Sequence, residues 1–279
     1  MRQKSYDESP TLYVVPTPIG NMEDITIRGL NILENSDIIF SEDTRETGKL
    51  LNYFNISGAK LISSHKFNEN NNTDKVISYL KDGKKVSVVS DRGTPCISDP
   101  GYSLVKEVSS KGYNVVCLPG ATAFVPAMVM SGFNTDRFLF YGFLNSKTSK
   151  RKKELKALKN ITYPIIFYEA PHRVFDTLSD IKEIFGNREI SLSREISKKF
   201  EEIIRDNIDN TLKIVNDLKG EMVIVVNGNN DIKDYSDITI IEHINMYIDL
   251  GYTSKEAIKI VARERNIPKS DVYSEYHKE

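Results

Sequence analysis

An α/β architecture is the expectation for this chain: a mostly parallel first sheet, a mixed second sheet and a small helical extension. Three features carry it. Short β-branched runs alternate with helical stretches as far as Gly120, a second series of candidate strands follows, and beyond Ile238 only helical periodicity remains.

The runs "LYVVPT", "DIIFSED", "AKLISSH", "KVSVVSD" and "NVVCLPG" each place a few apolar or small residues before turn formers, the pattern of buried strands. Between them, Asp24 to Glu34 and Tyr102 to Lys111 repeat apolar residues at three and four, the spacing of amphipathic helices. In the second half, strands are expected at Phe138–Leu144, Pro164–Glu169, Glu189–Arg194, Glu201–Asp206 and Glu221–Val226, with "SLSREISKKFEEIIRD" reading as two adjacent strands. Asn227 to Asp237 is polar and reads as a linker. In the tail, Gly251 ends one helix, Thr253 or Ser254 caps the next and Ser270 caps a third, so the segment resembles a helix-turn-helix or a packed helical appendage. The expected organisation is a flexible tail (1–11), an α/β domain (12–120), a second α/β domain (121–229) and the extension (230–279).

At 279 residues, 39% hydrophobic and 28% charged, the composition is that of a globular protein. The longest apolar runs, such as "FLFYGFL", are far shorter than the roughly 20 residues of a membrane span, and the first residues show no secretory pattern. Two cysteines, Cys96 and Cys117, without metal-like spacing read as small buried fillers and fit a cytoplasmic setting. The formal net charge of −1 does not advertise nucleic-acid binding. Lys147, Lys150, Arg151, Lys152, Lys153, Lys156 and Lys159 nevertheless crowd one expected helix start against the single acid Glu154, which on charge alone reads as a solvated helix face.

Four strand ends carry polar signatures: "PTPIGNMEDITIRGL", in which Asp24 should open a helix; "SEDTRETGKLL"; "VVSDRGTPCISDPG"; and "LPGATAFVPA". In parallel sheets ligands sit outside the carboxyl ends of strands, so these loops together read as the floor of a site. The chain lacks G-x-G-x-x-G, a Walker lysine motif, a metal-spaced cluster and G-x-S-x-G, which removes the usual dinucleotide, triphosphate, metal and serine-hydrolase readings.

Those loops, with "FYEAPHRV", "LSREISKKFEEI" and "KGEMVIVV", stand in the order and spacing of one family. From Leu12 to Val226 the chain resembles the ribosomal RNA small subunit methyltransferase I family of the tetrapyrrole methylase superfamily. The resemblance implies two α/β domains with S-adenosylmethionine bent into the cleft between them. It also implies a homodimer that methylates a cytidine ribose 2′-hydroxyl in the decoding centre of 16S rRNA within the small ribosomal subunit, with no metal and no membrane. By motif, Pro18, Asp91, Gly93, Thr94, Ile97, Ser98, Asp99, Gly120, Ala121 and Thr122 would line the cofactor pocket. Tyr168 and Met222 would close it from the second domain. The family usually carries a small Ala where this chain has Arg92, whose guanidinium is therefore expected to point outward, toward RNA or a carboxylate such as Asp99.

Methyl transfer needs oxygen, carbon and sulfur in line, and a ribose hydroxyl gains from a positioned base. Glu42, Asp43, Glu169 and His172 are the strand-end candidates, although Asp43 also stands where a helix cap would, and Glu169 has Arg173 or Arg194 as a potential partner. Positioning alone, with water taking the proton, stays open. Candidate RNA contacts are Arg45, Arg173, Arg194, Lys198 and Lys199, with Lys150, Arg151 and Lys152 as an outer patch whose charge reversal should weaken ribosome binding. A small-molecule methylase and a non-catalytic RNA-binding protein are the alternatives.

Overall fold

The structure is a computed structural model, in which residues 3–5, 8–64, 69–99, 101–229, 235 and 237–278 are described. Residues 1, 2, 6 and 7 of the expected tail, and 230–234 and 236 of the expected linker, lie outside that set. The chain divides into two compact units, Met1–Asn227 and Gly228–Glu279.

The first half of the larger unit runs β1 (Thr11–Val14), α1 (Ile27–Glu34), β2 (Ile38–Ser41), α2 (Thr44–Tyr53), β3 (Lys60–Ser63), α3 (Glu69–Lys81), β4 (Val86–Val89), α4 (Tyr102–Ser110) and β5 (Asn114–Cys117). Its five strands lie in the order β3-β2-β4-β1-β5, all parallel. Every residue of β2 and β4 is buried, as strands covered on both faces must be. Alternation explains the two cores. Leu12, Phe40, Val86 and Val88 pack with Leu80 and Leu104 from α3 and α4, while Ile39 and Val89 face Leu33, Leu50 and Leu51 from α1 and α2. Asp24 does not open α1; it ends a short 3-10 turn (Met22–Asp24), and Thr26 caps the helix by accepting from the Gly29 N–H.

The second half runs α5 (Phe124–Ser131), β6 (Leu139–Phe143), α6 (Thr148–Leu158), β7 (Ile165–Glu169), α7 (Val174–Phe185), β8 (Glu189–Arg194), β9 (Glu202–Asn207), α8 (Ile208–Ile214) and β10 (Met222–Val226). The sheet order is β6-β7-β10-β8-β9, with β6–β7 parallel and the other pairs antiparallel. Helix α5 covers one face through Ala127 and Met128 against Ile166, Val223 and Val225, and α6–α8 bury the other. A bulge interrupts β6 between Phe140 and Gly142, whose φ of +83° suits the kink. Cys117 is exposed and Cys96 half-buried, which corrects the reading of buried fillers.

The smaller unit holds α9 (Ile240–Asp249), α10 (Ser254–Glu264) and α11 (Lys269–Tyr276) around Ile244, Ala257, Ile258, Val261 and Val272. Thr239 with Glu242, and Thr253 with Glu256, form capping boxes. Pro268, not Ser270, stands at the N-cap of α11, because its fixed φ already matches the helix entry. Among the described residues no helix is long and apolar enough to cross a membrane.

Candidate active site

The loop after β4 is wound by its backbone. Gly93 (φ +77°) exchanges N–H···O bonds with Thr17 at 2.9 and 3.0 Å, which fastens the loop to the chain leaving β1. Cys96 and Ser98 then take φ of +71° and +64°, and Gly101 takes +126°. A Cβ on Gly101 would sit 2.6 Å from the Cys96 sulfur. Left-handed non-glycine residues cost about 1–2 kcal/mol each, so the winding is held by the surrounding contacts. Thr94 supplies one of them, donating its hydroxyl to the Ala121 carbonyl at 3.0 Å. Gly120 lies so close to the first loop that a Cβ would meet the Pro16 ring at 2.5 Å. Gly120→Ala is therefore expected to lower both the melting temperature and cofactor affinity, read by thermal denaturation and calorimetry; an unchanged protein would show that the two loops separate freely.

Gly93, Thr94, Ile97, Ser98 and Asp99 from this loop, with Thr122, form one wall of a cavity of about 310 Å³; Tyr168 and Met222 form part of the other. Gly120 and Ala121 line an adjoining, larger and more open groove of about 850 Å³, and Pro18 and Asp91 line a further cavity of about 260 Å³. Sequence reasoning missed Ile19, Phe143, Ile196 and Val223 in the main cavity. Sheet register would have found two of these, because Phe143 pairs with Tyr168 and Tyr168 with Val223, one row across three strands.

Three carboxyl groups gather behind the loop. Burial, then the charges of Glu42 and Asp91, push Asp99 up to about 6. Burial and Asp91 also raise Glu42, which lines a small cavity with Asp99 rather than the main one. Asp91 accepts the Asp43 N–H at 2.9 Å and so ties this loop to the start of α2. Burial pushes the Tyr168 hydroxyl up to about 12, so it stays protonated.

Two of the four candidate bases, Asp43 and Glu169, are engaged by partners, and Glu42 and His172 lie outside the lining of the main cavity. Asp43 caps α2 and is clasped by Arg45, which together hold its carboxyl down at about 2. Glu169 lines the cavity, yet its oxygens take the Thr177 hydroxyl at 2.6 Å and the Ala170 N–H at 2.8 Å, with the Arg173 Nε at 3.3 Å. His172 is exposed and outside the cavity lining.

The basic candidates divide sharply. Arg151 is not a surface contact: its side chain is 3% exposed and pairs with Asp180 at 2.6 Å. Lys152 reaches Glu183 at 2.6 Å, Arg194 holds Glu202 at 2.5 Å, and Arg173 donates to the Leu144 carbonyl at 2.9 Å. Arg45 (paired but 85% exposed), Lys150 and Lys199 face solvent, Lys199 over the Phe200 ring. Of the outer patch expected at Lys150, Arg151 and Lys152, Lys150 is exposed, Lys152 is half-buried and Arg151 is buried; the exposed lysines beside Lys150 on α6 are Lys153 and Lys156. Arg92 pairs with Glu221 at 2.5 Å, not with Asp99, and lines both cavities.

A family model described as Tetrapyrrole (Corrin/Porphyrin) Methylases matches residues 11–211. Proteins named Ribosomal RNA small subunit methyltransferase I are similar over nearly the whole chain. That of Bacillus subtilis (strain 168) is 46% identical over 99% of this chain and 98% of its own. That of Halalkalibacterium halodurans is 42% identical over 99% of each. Among solved structures, the methyltransferase CobJ aligns with a TM-score of 0.60 at 17% identity, over 78% of this chain and 94% of its own. Uroporphyrin-III-C-methyltransferase from Thermus thermophilus aligns with a TM-score of 0.57 at 16% identity, over 78% and 94%. At such identities these two structures speak for the fold alone.

Proposed function

The chain belongs to the ribosomal RNA small subunit methyltransferase I family of the tetrapyrrole methylases, and from that premise we propose that it methylates 16S rRNA with S-adenosylmethionine as donor. In this reading the acceptor is the ribose 2′-hydroxyl of a cytidine in the decoding centre, and the enzyme is a cytoplasmic homodimer.

The observation that carries the reading is the composition of the main cavity. It joins an apolar surface, made by Ile97, Phe143, Ile196 and Val223, to the carboxyl of Asp99. That donor set fits a ligand with a flat base and a cationic amino-acid end. Bound there, S-adenosylmethionine supplies an electrophilic methyl group on a sulfonium. The protein's part is alignment: the loop after β4 and the row Phe143–Tyr168–Val223 hold two walls that fix the direction of approach. Asp99 offers negative charge, and the protonated Tyr168 hydroxyl adds none. Of the four candidate bases, Asp43 caps α2 and is clasped by Arg45, Glu169 is hydrogen-bonded, and Glu42 and His172 lie outside the cavity lining, which leaves Asp99 or water to take the hydroxyl proton.

Mass-spectrometric mapping of 2′-O-methylated nucleotides in 16S rRNA, in small subunits incubated with protein and donor, tests the reaction. One new methylated cytidine is expected; methyl transfer to a porphyrinoid and none to rRNA would overturn the reading. On the RNA side, the triple reversal K150E/K153E/K156E should flatten the dependence of log affinity on log salt by about 2, at roughly 0.7 for each phosphate no longer neutralised. An unchanged slope would remove α6 from the RNA surface.

A further inference from the structure

The ion pair at the edge of the main cavity is arranged for exchange. Arg92 Nη1 lies 2.5 Å from Glu221 Oε1, and the second oxygen of Glu221 is held separately, by Lys198 Nζ at 2.8 Å. Lys198 also reaches Glu195 at 3.0 Å. The four side chains sum to zero charge, and they bridge the loop after β4 to the β8–β9 turn and the start of β10. Backbone packing holds the second-half side firmly. The Lys198 stem lies where a Cβ on Gly20 would stand, and Glu195 where a Cβ on Gly220 (φ +94°) would stand. Arg92 and Glu221 are both exposed, at 56% and 63% of their side chains, but Glu221 also holds Lys198, and Arg92 lines both the main cavity and the further one beside Pro18.

An exposed pair of this kind is weak, and a guanidinium binds a phosphate in the same forked geometry as a carboxylate. If Arg92 leaves, Glu221 is not stranded, because Lys198 keeps its other oxygen. The ribose 2′-oxygen and the 3′-oxygen that carries the next phosphate sit on adjacent carbons. A hydroxyl presented to the methyl donor therefore brings that phosphate to the cavity's edge, where Arg92 stands. Resting on the reaction proposed above, we propose that Arg92 is a positioning residue that exchanges Glu221 for the phosphate 3′ to the methylated nucleotide. Before RNA arrives, Glu221 neutralises Arg92, so that a cationic donor enters the cavity without repulsion. Afterward, the released carboxylate faces that donor.

Arg92→Gln and Arg92→Lys test this with small ribosomal subunits as substrate. In Arg92→Gln, KM for the particle should rise about tenfold, the salt slope of particle binding should fall by about 0.7–1, and donor affinity by calorimetry should not fall. Arg92→Lys should recover the salt slope and part of KM. An unchanged KM and salt slope would overturn the proposal. So would a loss of donor affinity and melting temperature in step with KM, the signature of a structural latch. Particle binding is measured without turnover, so the two failures separate: a wild type that transfers no methyl group overturns the reaction, and an unaltered salt slope in Arg92→Gln overturns the phosphate pairing.

Discussion

Asp99→Asn is expected to raise the melting temperature of the ligand-free protein at pH 7.5 while weakening S-adenosylmethionine binding by about 10- to 100-fold, the equivalent of the 1.5–3 kcal/mol typical of a charged hydrogen bond. Both effects have one origin. Burial and two neighbouring carboxylates hold the Asp99 carboxyl up at about 6, against an ordinary value of 3.8. Between those values the folded protein keeps a proton that the unfolded chain has lost. Asp99 therefore makes stability fall as pH rises through that window, and above about pH 6 its charge is a standing cost. Asparagine removes the charge and the cost. A cationic donor offsets the same cost in the wild type, so donor affinity should weaken as pH falls below about 6 and binding near that pH should expel a proton. Calorimetry in buffers of different ionisation enthalpy reads the proton directly. If Asp99→Asn binds the donor like the wild type from pH 5 to 8, Asp99 does not face the cation.

What was legible in the sequence is what local pattern determines. Among the described residues the strands fall close to their expected places, because runs such as Ile38–Ser41 and Val86–Val89 must be covered on both faces. The four strand-end loops assemble at one sheet edge because β1, β2, β4 and β5 are all parallel. Helix starts were less legible: Asp24 and Thr26 are both competent caps, and the extended Ile25 between them decides. Pairings across the fold were not legible at all. Arg92 finds Glu221, 129 residues away, rather than the nearby Asp99. Periodicity could have shown Arg151, Leu155 and Leu158 sharing the buried stripe of α6, but that an arginine is tolerated there depends on Asp180, 29 residues on.

That ion pair carries the largest stability effect expected of a single substitution. Arg151 donates Nε to Asp180 at 2.7 Å and places Nη2 2.6 Å from the same oxygen, with the two side chains 3% and 9% exposed. Removing Asp180 leaves the Arg151 guanidinium buried without a carboxylate, whereas removing Arg151 leaves Asp180 with Lys152 at 3.5 Å, so Asp180→Ala should lose about 3–5 kcal/mol in urea denaturation and Arg151→Ala somewhat less. Against a total of about 5–15 kcal/mol for an ordinary domain, that is enough to populate unfolded protein at 37 °C. The double variant Arg151→Met/Asp180→Leu should recover most of the loss, since an apolar pair of similar volume needs no partner. Single variants within about 1 kcal/mol of wild type would mean that solvent reaches the pair. The consequence bears on RNA binding. Charge reversal that includes Arg151 would abolish ribosome binding by unfolding the second half, and would do so at every salt concentration. Reversal of the exposed Lys150, Lys153 and Lys156 should instead leave the urea midpoint near wild type and act through the salt slope, so denaturation and salt titration together separate unfolding from weakened phosphate binding.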